Sequence, residues 1–116
     1  MKRYIGHILE KGDFYKSGFG RYYVAIETLQ LPKRCPVSME HKRLIDGAAA
    51  FDFRRSWNGI DFTLDLPGED DYSGYQLSPE LEYEKLEAKV IHDAKITGIA
   101  LTKRPVDKNS KLLKGD

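Results

Sequence analysis

FDFRRSWNGIDFTLDL, residues 51–66, decides the fold. Two runs flank Asn58-Gly59, and apolar side chains alternate with polar ones along them, as a half-buried strand requires. Asn-Gly suits a two-residue hairpin turn of type I′. With Asn58 and Gly59 as the loop, Trp57 pairs with Ile60, Arg55 with Phe62, Phe53 with Leu64 and Phe51 with Leu66. Phe51, Phe53, Phe62, Leu64 and Leu66 then line a core. Asp52, Asp61, Thr63 and Asp65 face water.

The rest of the chain reads outward from this hairpin. Tyr4–Leu9 is a first strand, and Lys11-Gly12-Asp13 is a turn. RYYVAIETLQL, from Arg21, has Tyr22, Ile26 and Leu29 at helical spacing, which favours a short helix ending before Pro32. Pro36–Glu40 is an extended piece leading into His41. PGEDDYS, residues 67–73, is an acidic loop.

Leu77, Leu81 and Tyr83 share one strand face, and Ser78, Glu80 and Glu82 take the other. Pro79 has no amide proton to give a central ladder. It therefore sets Ser78 at an edge, a bulge or a strand start. In the apolar run Lys89–Thr102 the alternation changes phase near Gly98, and a bulge there reconciles its two halves. The expectation is a single domain over 1–106, mainly β with short helices (α+β), built as a small closed or partly closed barrel. A polar, mobile C-terminal tail is expected over 107–116.

Composition narrows the function classes. The 116 residues carry 19 basic and 18 acidic side chains, a formal charge of +1. That balance gives no electrostatic pull toward nucleic acid or a membrane surface. Tyr22, Tyr23, Phe51, Phe53 and Trp57 therefore read as core rather than as a base-stacking platform. No apolar run approaches the roughly 20 residues of a membrane span. Cys35 is the single cysteine, so no internal disulfide forms and an intracellular setting is favoured. The three histidines and Cys35 lack zinc-site spacing, and Gly18-Phe19-Gly20 lacks the rest of a dinucleotide fingerprint. No cofactor and no metal are expected.

His7, His41 and His92 are the histidines. His41 lies between Glu40 and Lys42 at the end of an extended run. It can act as a general base near neutral pH, or be an ordinary surface histidine. Ser78 is either a strand-entry serine bonded to its own backbone or a nucleophile, which needs a base, a group orienting that base, and oxyanion donors. No GxSxG elbow is present.

The order CPVSMEHKR (35–43), alternating hairpin, YQLSPELEY (75–83), ITGIALTKRPV (96–106) resembles the phage capsid-maturation (prohead) serine proteases, in particular their Mu-like and scaffold-linked groups. The matching pieces are Met39-Glu40-His41, Ser78-Pro79-Glu80, and Gly98–Thr102 followed by Pro105. The resemblance implies a herpesvirus-assemblin-like barrel. It also implies a serine endopeptidase that trims scaffold and major capsid proteins inside an immature phage head in the host cytoplasm. It makes Ser78 the nucleophile and His41 the base. For the third member it offers His92, on the assemblin pattern, or Asp13, on that of phage relatives. It implies a basic loop near the oxyanion, for which Lys103 and Arg104 are either the candidates or an ordinary strand-end charge cluster, and it implies dimerisation as a route to activity. The competing expectation is a non-enzymatic phage assembly module on a similar barrel.

Overall fold

A computed structural model describes residues 2–16, 20–68, 72, 74–103 and 111–114. In chain order its strands are β1 (Lys2–Ile8), β2 (Asp13–Lys16), β3 (Gly20–Val24), β4 (Arg34–Cys35), β5 (Val37–Met39), β6 (Arg43–Leu44) and β7 (Ala49–Ser56). Then come β8 (Gly59–Leu66), β9 (Gln76–Glu82), β10 (Lys85–Glu87), β11 (Val90–His92), β12 (Lys95–Thr102) and β13 (Lys111–Lys114). Two 3₁₀ turns, Glu10–Gly12 and Ile26–Thr28, are the helical elements of the described residues. None of these is long and apolar enough to cross a membrane.

The strands form three sheets, in the orders β13-β1-β8-β7-β4, β10-β11-β3-β2 and β6-β5-β12-β9. The fold is therefore mainly β, and no sheet closes on itself among the described residues. Alternation on β8 buries Ile60, Phe62, Leu64 and Leu66, while Asp61, Thr63 and Asp65 are half-buried on the other face. Gly6, paired with Phe62, supplies the space for that ring. A Cβ at Gly6 would stand 2.4 Å from the Phe62 Cζ.

The faces of β8 are as expected, but the register differs, and Phe51 leaves the core face for that of Thr63. Ser56 pairs with Gly59, Arg55 with Ile60 and Arg54 with Asp61, so the loop is Trp57-Asn58. The ladder then slips between Phe51 and Arg54, where Asp52 has a φ of 53°, and Phe51 pairs with Thr63. Trp57 is left 92% exposed. Neither Asn58 nor Gly59 takes the positive φ of a type I′ turn. Glycine is required at 59 for closeness instead: a Cβ there would lie 2.8 Å from the Ile8 carbonyl oxygen.

Three further segments bear on the expectations. The helix read over Arg21–Leu31 is a strand and one turn. Gly20–Val24 pairs antiparallel with β2 and parallel with β11, and only Ile26–Thr28 turns. Sheet partners on both sides outweigh a helical spacing of three apolar residues. Arg55 secures that turn, donating from Nε to the Ile26 carbonyl at 3.2 Å and from Nη2 to the Leu29 carbonyl. The bulge inferred at Gly98 is present, as a register shift between Ile96 and Gly98 on β12. Of the stretch read as a tail, Lys111–Lys114 pairs with β1 and Leu112 packs against the core.

Candidate functional site

The third sheet assembles the site. β12 is an inner strand, paired in parallel with β5 and antiparallel with β9. β9 is the edge strand of this sheet, opposite β6. This is where a proline is tolerated, and Pro79 pairs with Ile99 there. Ala100 is flanked by Ser78 on β9 and by Ser38 on β5. Directly paired residues share a sheet face. The face of Ser38, Ala100 and Ser78 therefore also carries Gly98, Thr102, Glu80 and Gln76.

Ser78 is 1% exposed and Ser38 4% exposed. Both Oγ atoms are buried with no hydrogen-bond partner among the described residues. A buried hydroxyl left unpaired costs about 1–3 kcal/mol, and ordinary core packing would favour alanine at either position.

His41 comes to this face through a strained turn. The Lys42 N–H donates to the Met39 carbonyl at 3.0 Å, and the two residues between, Glu40 and His41, have φ of 55° and 60°. Left-handed backbone at a residue with a Cβ costs about 1–3 kcal/mol, and such strain collects at functional positions. The Glu40 carboxylate holds the turn in place. Its Oε2 accepts from Thr102 Oγ1 at 2.9 Å and its Oε1 from the Lys103 N–H at 2.9 Å. These bonds, the Lys103 N–H first and the Thr102 hydroxyl second, draw the Glu40 carboxyl below its ordinary value of 4.5. The Glu40 N–H donates to the Leu101 carbonyl at 2.8 Å. Glu40 thus clamps the turn to the end of β12.

From that turn the His41 Nδ1 stands 3.5 Å from Glu80 Oε2. Glu80 follows Ser78 by two residues on β9 and shares its face. Two features of the bulge seat Glu80. Thr97 Oγ1 donates to the Glu80 carbonyl at 3.2 Å. Gly98 leaves room for the carboxylate, since a Cβ there would stand 2.4 Å from Glu80 Oε1.

The remaining sequence candidates lie elsewhere. Asp13 begins β2 and pairs with Tyr23 in the second sheet. His92 ends β11 in that same sheet, opposite Lys85, and lines a cleft of about 460 Å³ with Glu82, Tyr83 and Asp93. Ser78, His41 and Glu80 are brought to one sheet, whereas Asp13 and His92 belong to another. His7 is engaged in the first sheet, its Nδ1 2.6 Å from Asp61 Oδ1. Lys103 is next to the Glu40 clamp, with its Nζ 5.2 Å from the centre of the Tyr75 ring. Arg104, Pro105 and the acidic residues 69–71 lie outside the described residues. Cys35 is buried, and loss of water around the thiol pushes its pKa up to about 12. It is therefore a poor nucleophile.

A cleft of about 690 Å³ opens beside the turn, lined among others by Met39, Arg43, Leu44, Tyr72 and Tyr75. Neither Ser78 nor His41 lines it. Among the described residues no group of three or more metal-ligating side chains is placed to hold an ion.

Glu80 is the residue that reading the sequence for a third member passed over. The signal was its strand parity with Ser78. Comparison with protein-family models, curated proteins and solved structures returns no match.

Proposed function

We propose that this protein is a serine endopeptidase that cleaves scaffold and major capsid proteins during phage prohead maturation, with Ser78 as nucleophile and His41 as general base. One observation carries the reading: the His41 imidazole meets Glu80, the residue two beyond Ser78 on the same face of β9. The strained Glu40-His41 turn and the orphaned Ser78 hydroxyl add to it. A strand-entry serine bonded to its own backbone would leave no such orphan. The assemblin-like closed barrel and activation by dimerisation belong to the same reading.

In the chemistry proposed, Ser78 Oγ attacks the scissile carbonyl and His41 takes its proton. His41 then returns that proton to the leaving amine, and water releases the acyl group. The hydroxyl is covered in the free chain, so substrate binding or dimerisation has to open the face above it. Attack requires the carbonyl within about 3–3.5 Å of Oγ.

The burial of Ser78 favours a second reading, a non-enzymatic phage assembly module. Incubation of the chain with scaffold and major capsid proteins separates the two. On the enzymatic reading the wild type cuts them and Ser78→Ala, still folded, does not. Loss of the nucleophile costs several orders of magnitude in rate. Equal cleavage by both proteins, or none by either, rejects the protease.

A further inference from the structure

We infer that Glu80 is the positioning residue for His41, filling the third place in the site; this rests on the reading of Ser78 and His41 given above. Three observations support it. The contact is made through Nδ1, 3.5 Å from Glu80 Oε2. In a serine-histidine-carboxylate set the acid holds Nδ1 and leaves Nε2 to exchange the proton with the hydroxyl. Free sites commonly show such contacts looser than in the working complex.

Second, the backbone of Glu80 is fixed and its carboxylate is given room. The Thr97 hydroxyl fixes the Glu80 backbone carbonyl at 3.2 Å, and Gly98 opens the space in which Oε1 lies. Both residues adjoin the one irregularity of the β9–β12 ladder, between Ile96 and Gly98.

Third, the other carboxylate near the base is already committed. Glu40 gives both oxygens to Thr102 and Lys103. Asp13 and His92 make no hydrogen bond or ion pair to His41 among the described residues, and each stands in the second sheet.

The role is electrostatic and orientational. Glu80 touches neither the substrate carbonyl nor the leaving group. It fixes the imidazole plane, selects the tautomer with its proton on Nδ1, and stabilises the imidazolium formed when Ser78 Oγ gives up its proton.

The test is the rate of Ser78 modification by a fluorophosphonate. Oγ bonds to phosphorus, fluoride leaves, and the serine proton passes to His41. Glu80→Gln keeps the shape over Gly98 but removes the charge. The maximal inactivation rate should fall about 10²–10⁴-fold, while the half-saturating reagent concentration changes less than about threefold. Glu80→Asp should recover part of the rate. Unchanged labelling in Glu80→Gln, or a 10²-fold loss in Asp13→Asn or His92→Gln instead, overturns the role of Glu80 and leaves the protease reading standing. A wild type that is neither labelled at Ser78 nor able to cut scaffold protein overturns both.

Discussion

The His41 Nδ1 stands 3.5 Å from Glu80 Oε2, a contact that links the turn after β5 to β9, the two neighbours of β12. Glu80 starts at the level of Gly98, and the His41 turn starts beyond Leu101. Between those levels lies the row Ser38–Ala100–Ser78, whose Ser78 Oγ makes no hydrogen bond to His41 among the described residues.

Gly98→Ala tests how that carboxylate is placed. The added methyl would stand 2.4 Å from Oε1 and 3.3 Å from Cδ of Glu80. The obstacle is the end of a flexible side chain, so the fold should persist while Glu80 moves off His41. A displacement of about 1 Å in a site of this kind can cost roughly 10²-fold in rate. The fluorophosphonate labelling rate should fall by about that factor. Gly98→Ala combined with Glu80→Gln should be no slower than Glu80→Gln alone, because both remove one contact.

Gly6→Ala should act on stability instead. Its methyl would meet the fully buried Phe62 ring at 2.4 Å. The ring is packed and stacks on Phe53 at 5.0 Å between centroids. Overpacking of this kind costs about 1–3 kcal/mol. A urea titration should show a lower midpoint with an unchanged slope.

The Glu40 clamp has a pH signature. Hydrogen bonds from the Lys103 N–H and the Thr102 hydroxyl hold its carboxyl below 4.5. A carboxyl depressed in the folded state stabilises it above the unfolded value. The contribution is lost as pH falls through the folded value. Wild type should therefore exceed Glu40→Gln in stability at neutral pH, and the gap should close with acidification below about 4.5. A gap that is constant with pH would show that the clamp depends on shape rather than charge.

The sequence was most legible where alternation met a residue with a backbone constraint. The phase change near Gly98 located the bulge, and Pro79 left an edge, a bulge or a strand start, of which β9 is the edge. In the hairpin, the faces were readable from β8 alone. The register was not, because the slip at Asp52 comes from a left-handed residue that no local pattern announces. Arg21–Leu31 misled because its pairing strands, β2 and β11, are separate in sequence and their pull is not local. Ser78 and His41 stood out by motif. Glu80 did not, because its contact with His41 depends on the parallel pairing of β5 with β12, a relation that no short window contains.

The central claim is that Ser78 is a nucleophile activated by His41. Peptide mapping after fluorophosphonate treatment tests it most directly. The account predicts an adduct on the peptide containing Ser78 in the wild type, and none above background in folded His41→Ala. An adduct formed equally in both proteins, or carried on another serine, would contradict it.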